Sequence, residues 1–169
     1  SGLFDNASDN LSGLSFDPTT GHLYGLVRDE GSEDELIRID ISDGSVLNTW
    51  TLDDGTNHIE GGEDMAFSDT GTLYVVDDTS GDQVWEIDFD EVGVNSLTAI
   101  GGNLFGSDPE ALAWDPVDDI LVLNENGSTD DFGTLDVGTG TENQLGDFVA
   151  NGLDKVEGMD FERSWAQVA

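Results

Sequence analysis

The sequence predicts an all-β chain, a β-propeller made of four-stranded antiparallel blades, and three observations carry that prediction. One apolar-then-aromatic motif recurs at near-constant spacing, the same series of turn and strand signals follows each copy, and no segment shows a helical period. The motif reads Leu11-Ser12-Gly13-Leu14-Ser15-Phe16-Asp17, then Gly62-Glu63-Asp64-Met65-Ala66-Phe67-Ser68. It returns as Pro109-Glu110-Ala111-Leu112-Ala113-Trp114-Asp115 and as Val156-Glu157-Gly158-Met159-Asp160-Phe161-Glu162. Its second residues, Ser12, Glu63, Glu110 and Glu157, stand 51, 47 and 47 positions apart. Four short strands in each unit of roughly 40–50 residues mark a propeller blade. A β-sandwich also has many short strands, but it does not repeat one motif at this spacing.

Each element of the unit has a local reason. In the first strand the apolar and aromatic residues lie two positions apart, on one face of an extended chain. The turns after it are Asp17-Pro18-Thr19-Thr20-Gly21, Ser68-Asp69-Thr70-Gly71 and Asp115-Pro116-Val117-Asp118-Asp119. Asp-Pro openings and Gly closings are type I turn chemistry. Second strands are expected at 23–27, 73–76 and 120–123, and third strands at 36–40, 84–88 and 133–136. The third strands close on Asp40, Asp88 and Asp136, which recur every 48 residues and suit a structural place at the following turn. Fourth strands are the least regular, at 46–50, 96–100 and, more weakly, 143–145.

These assignments give a polar N-terminal segment at 1–10 and blades at about 11–51, 59–101 and 107–149, with residues 155–169 opening a fourth. Propellers commonly have about four to eight blades, so three and a part do not make a ring. An uncovered blade exposes apolar faces and unpaired strand edges. The expected partners are therefore other copies of the chain or the remainder of a longer polypeptide that completes the propeller.

Charge narrows the function. Thirty-eight acids face four bases, Arg28, Arg38, Lys155 and Arg163, for a net charge of −34. Nucleic acid is excluded as a partner, because binding phosphates requires lysines and arginines that release counterions. Anionic membrane surfaces are disfavoured for the same reason, and no apolar stretch approaches the ~20 residues of a membrane-spanning helix. Such a chain repels itself when compact and needs salt or bound cations; at about 1 M salt the Debye length falls to roughly 3 Å. A salt-rich habitat or a calcium-containing exterior fits. No signal peptide is visible, and with no cysteine in the chain both disulfides and thiol catalysis are ruled out.

The first strand of a propeller blade lines the central channel, so Glu63, Glu110 and Glu157 are expected to converge near one end of the axis, with Ser12 as their fourth counterpart. Two carboxylates about 7 Å apart repel by roughly 2.4 kcal/mol at an effective dielectric near 20. Three together call for a cation, for water or for raised pKa values. Calcium is the natural cation, since it takes several oxygen ligands in flexible geometry; the alternative is that the acids bond backbone amides between blades or face a wet channel. The acid pairs Asp53-Asp54, Asp77-Asp78, Asp118-Asp119 and Asp130-Asp131 are expected at turns and strand ends, solvated. His58, near Glu60 in a loop at a channel mouth, is the one candidate general base, and no G-x-S-x-G nucleophile motif or phosphate loop is present. Trp50, Trp85, Trp114 and Trp165 are expected to pack between blades. Asn6, Asn10 and Asn126 each begin an N-x-[ST] triplet.

Asn10-Leu11-Ser12-Gly13-Leu14-Ser15-Phe16-Asp17, Asp108-Pro109-Glu110-Ala111-Leu112 and Val156-Glu157-Gly158-Met159 make the chain resemble the SdiA-regulated-type propellers of the bacterial periplasm and cell exterior. A related esterase-like, phytase-associated group shares the pattern. Asp64 and Ala111 stand where that pattern has Gly. The resemblance implies a periplasmic or extracellular place and calcium near the axial acids. Glu110-Ala111-Leu112-Ala113-Trp114-Asp115 is also similar to the blade start of gluconolactonase-type propellers, which lacks its Pro here; those enzymes use a channel metal to polarise an ester. The expected function is an exported, acidic, non-catalytic module that binds cations and serves in surface assembly or adhesion. The alternative is a calcium-dependent hydrolase of lactones or phosphoesters with its metal held by Glu63, Glu110 and Glu157.

Overall fold

A computed structural model describes residues 10–29, 31–79, 81–102, 109–125, 131–147 and 158–159. Among the described residues the regular elements are twelve strands in three four-stranded sheets. Blade 1 comprises β1 (Asn10–Phe16), β2 (Leu23–Arg28), β3 (Glu35–Ile39) and β4 (Val46–Thr51). Blade 2 comprises β5 (Gly62–Phe67), β6 (Leu73–Asp77), β7 (Gln83–Phe89) and β8 (Val94–Ile100). Blade 3 comprises β9 (Pro109–Asp115), β10 (Ile120–Glu125), β11 (Asp131–Asp136) and β12 (Thr141–Asp147). Within each sheet sequential strands pair antiparallel, and β5 lies between β1 and β9. The propeller architecture expected from the repeat is what the chain forms.

The turns after the first strands follow the expected chemistry. Asp17 accepts the backbone N–H of Thr19 at 2.8 Å and the hydroxyl of Thr20 at 2.6 Å, and the N–H of Gly21 donates to the Asp17 carbonyl at 2.8 Å. Gly21 closes this turn at φ 73° and Gly71 closes its counterpart at φ 85°, a left-handed conformation free of cost only without a Cβ. In blade 3 Asp119 takes that place at φ 55°. Asp40 and Asp136 hold the turns after the third strands, accepting the N–H groups of Ser42 and Gly138 at 2.8 and 2.9 Å. Asp88 does not share that place. β7 continues through it to Phe89, and Asp90 holds the turn by accepting the N–H of Val92 at 2.7 Å.

Two cores lie at the two joints between blades. At the first, Tyr24, Leu26, Leu36 and Trp50 of blade 1 bury against Met65, Phe67, Leu73 and Trp85 of blade 2. The Tyr24 ring lies 5.3 Å from Phe67, and Trp50 meets Phe89 edge-on at 5.6 Å. At the second, Tyr74, Val76 and Val84 of blade 2 meet Leu112, Leu121, Leu123 and Leu135 of blade 3. Tyr74 and Trp114 stack at 5.7 Å with planes 7° apart. Trp50, Trp85 and Trp114 thus pack between blades; Trp165 lies outside the described residues. Successive residues of a strand serve opposite joints, which is why Leu73 and Val75 of β6 face blade 1 while Tyr74 and Val76 face blade 3.

Candidate functional site

In all three blades the expected axial residue sits in a bulge of the first strand. β1 pairs Leu11 with Val27 and Gly13 with Leu26, passing over Ser12. β5 pairs Gly62 with Asp77 and Asp64 with Val76, passing over Glu63, and β9 passes over Glu110 between Pro109 and Ala111. A bulge re-aims the extra residue's side chain, and bulges recur beside functional sites. Ser12, Glu63 and Glu110 are therefore one structurally equivalent set. Glu157 lies outside the described residues, as does the greater part of the 155–169 repeat.

Their surroundings differ. The Ser12 hydroxyl donates to the Leu26 carbonyl at 3.4 Å. The Glu63 carboxylate is ion-paired with Arg28 of the neighbouring blade, whose guanidinium also reaches Asp78 at 3.3 Å. Arg28 thus stands as the cation beside Glu63. Glu110 is half-buried and has no ion pair with a described residue. Among the described residues no three acids or histidines stand together in a way that would hold a metal ion.

A mainly apolar cavity of about 790 Å³ opens where the first strands meet. Leu14, Phe16, Met65, Phe67 and Trp114 line it together with Met159, the fourth repeat's counterpart of Leu14. Asp64 places a carboxylate on its wall. One oxygen of Asp64 accepts the N–H of Met65 and the other that of Leu112 in blade 3, each at 2.8 Å. β1 passes close by, and a Cβ on Gly13 would come within 3.0 Å of the Asp64 carboxylate and of Met65. A side chain at position 13 would therefore require the Asp64 carboxylate and Met65 to shift.

Like Asp34 and Asp54, Asp64 accepts a backbone amide across a joint between blades, beside the side-chain ties of Glu63 and Asp78 to Arg28, of Glu91 to Arg38 and of Asp69 to the Trp114 indole. Asp34, fully buried, accepts the N–H of Asp29 at 3.0 Å and that of Gly62 in blade 2 at 2.6 Å. Asp54 accepts the N–H of Leu97 in blade 2 at 2.8 Å, along with those of Thr56 and Asn57. Burial pushes Asp34 up to about 6, against the pull of its two amide donors, with Asp77 adding to the rise and Arg28 opposing it. Burial likewise raises Asp64 to about 6. Asp54, hydrogen-bonded to three amides at the surface, is held down at about 2.

The expectation that the acid pairs are simply solvated is corrected at Asp54, Asp77, Asp78 and Asp131, the last of which is buried at the start of β11. Asp54 bridges a joint, Asp78 meets Arg28, and Asp77 is fully buried, accepting the N–H and hydroxyl of Thr79 and, at 3.4 Å, the Trp85 indole N–H. Nothing in a run of acids distinguishes a partnered carboxylate from a solvated one. Asp64 did carry a signal, since the same motif position holds Gly13, Ala111 and Gly158 in the other repeats. His58 lies 3.4 Å from Glu60 with both side chains half-exposed, and neither lines the cavity.

No curated protein matches the sequence. Among solved structures, an auxiliary nutrient binding protein from Bacteroides thetaiotaomicron superposes with a TM-score of 0.54 at 16% identity, over 80% of this chain and 36% of that one. The Dos1 propeller superposes with a TM-score of 0.50 at 14% identity, over 86% of this chain and 34% of that one. The chain thus spans about a third of the length of each, and at these identities the likeness shows the propeller-type fold alone. The repeat itself has a closer match, covering residues 6–151, and by it the chain belongs to the family described as Repeat of unknown function (DUF6923).

Proposed function

We propose that this chain is a non-catalytic propeller module of the cell exterior, which gathers cations on its acidic surface and serves in binding or assembly. The observation that supports this best is the engagement of its inner acids. Asp34 and Asp64 bond amides across the joints and Glu63 meets Arg28, so these groups join blades instead of forming an acid–base pair at an open cleft. A nutrient-binding protein of similar fold is a precedent for a propeller that binds, although fold by itself does not fix function. The net charge of −34 makes counterions part of the folded state.

Calcium at Glu63, Glu110 and Glu157 is the narrower form of the same proposal. It requires Glu63 to exchange Arg28 for the ion, so the residues present do not form a ready site, and we place cation binding on the acidic surface as a whole. The assay is thermal unfolding in EDTA, in millimolar calcium, and in NaCl, including an arm matched in ionic strength to the calcium. Equal stabilisation by matched NaCl and calcium supports surface screening. Stabilisation by calcium alone, lost on Glu110→Gln, overturns it in favour of the axial site. Hydrolysis of lactone or phosphoester substrates that is lost in the same variant refutes the non-catalytic reading.

A further inference from the structure

The face of blade 1 turned away from blade 2 is built like faces that are covered elsewhere in the molecule. Leu14 and Phe16 of β1 correspond to Met65 and Phe67 of β5 and to Leu112 and Trp114 of β9. Met65 and Phe67 are each 3% exposed and Leu112 is 2% exposed, covered by the preceding blade, whereas Leu14 and Phe16 are 53% and 54% exposed. Two large apolar side chains half in water on one strand are unusual for a face that would otherwise be polar.

The same face is partly closed from within. Where β6 carries Val75, β2 has Gly25, and a Cβ there would lie 2.7 Å from the Leu11 methyl and 3.2 Å from Ile37. Leu11, itself part-exposed, therefore packs over Gly25 beside Ile37, which is buried. The inner half, at Leu14 and Phe16, stays open.

We infer that the open inner face of blade 1 is the seat of one further four-stranded blade of the same repeat, belonging to the same polypeptide ring. This rests on the assembly reading above and names its partner. Continuity argues for the occupant: the first joint pairs Met65 and Phe67 with the Tyr24–Leu26–Leu36–Trp50 face of blade 1, and the counterparts of Met65 and Phe67 are the residues left bare. The axial residue refines its chemistry. At the first joint Arg28 meets Glu63, but the bulged residue of blade 1 is the neutral Ser12, so the incoming blade presents an apolar face with no arginine opposite the axis. A second copy of the chain is disfavoured, because it brings another 34 negative charges to an uncharged contact. The two propellers of similar fold are each about three times as long as the stretch they share with this chain, which leaves room for more blades.

The chain has no cysteine, so one introduced thiol reports the face directly. Phe16→Cys is made in the full chain and, separately, in the full chain with a duplicate of residues 10–61 inserted ahead of Asn10, the duplicate carrying Arg28→Gln to meet the neutral Ser12; Leu14→Cys repeats both in case the first variant folds poorly. Thiol labelling and sedimentation are followed in molar NaCl. Rapid labelling of a monomeric parent, slowed at least about tenfold in the extended chain, is the expected result. Equal labelling of the two overturns the proposal, as does a parent whose thiol is already protected. A parent that sediments as a dimer with the thiol buried assigns the face to a second copy. Cation binding and hydrolysis enter none of these readouts, so the assembly reading and this one fail separately.

Discussion

Replacing Asp34 by Asn should flatten the pH dependence of stability. In the folded chain burial raises this carboxyl to about 6 from an ordinary value of 3.8. A raised folded pKa means that the native state holds its proton more tightly than the unfolded chain. Its contribution is present in full below about pH 4 and is lost as pH rises through about 6. At about 1.36 kcal/mol per unit, the whole shift is worth about 3 kcal/mol. About 1.4 kcal/mol of it falls between pH 5 and 8 by linkage, a window that avoids precipitation near the pI of about 4.1. The assay is urea unfolding across that window in molar NaCl, which screens the other acids. Asn keeps one acceptor for the Gly62 amide but sets its NH2 against that of Asp29, so its absolute stability changes by a further ~1–3 kcal/mol at every pH. The slope is therefore the quantity to read, and wild type should lose about 1.4 kcal/mol more than Asp34→Asn on going from pH 5 to 8. Parallel profiles would refute the reasoning, and would mean that the amides of Asp29 and Gly62 fully offset burial.

Three further outcomes are expected. Arg28→Gln should cost about 1–3 kcal/mol in urea unfolding, because it leaves Glu63 and Asp78 facing each other without a cation; the variant should also gain a rise in Tm with calcium beyond that with matched NaCl, which wild type lacks. Asp119→Gly relieves a left-handed backbone at φ 55° and should stabilise blade 3 by about 0.5–1 kcal/mol, with Gly21→Ala destabilising blade 1, both read from the urea midpoint. Asp54→Ala removes the acceptor of the Leu97 amide, so hydrogen exchange at Leu97 should quicken; in wild type the same bond should survive to acid, weakening only as pH falls from about 4 through about 2.

The repeat was legible because a blade is local. Each four-stranded unit pairs only with itself, so its turns, its strand alternation and its roughly 47-residue spacing are written in consecutive residues. Strands at an edge are less constrained, which is why the fourth strands read poorly and why β12 extends over Thr141–Asp147, well beyond the three residues that signal it. The equivalence of Ser12, Glu63 and Glu110 was also legible, since it is a matter of register within the repeat. That all three lie in bulges was not, because a bulge depends on how the partner strand pairs.

The contents of the joints belong to the tertiary structure. Glu63 meets Arg28 from 35 positions earlier, Asp34 meets Gly62 across a joint, and Asp64 meets Leu112 from 48 positions away. No spacing rule links these pairs, because the distance between them in sequence is set by the length of a blade and its loops. Composition determined that the chain is strongly acidic, which is the ground for expecting it to need counterions and not to bind nucleic acid. Only the packed blades decided which of its carboxylates are structural. A carboxylate's role follows from the donors that folding brings to it and from the water that folding removes, and neither is encoded next to it in the chain.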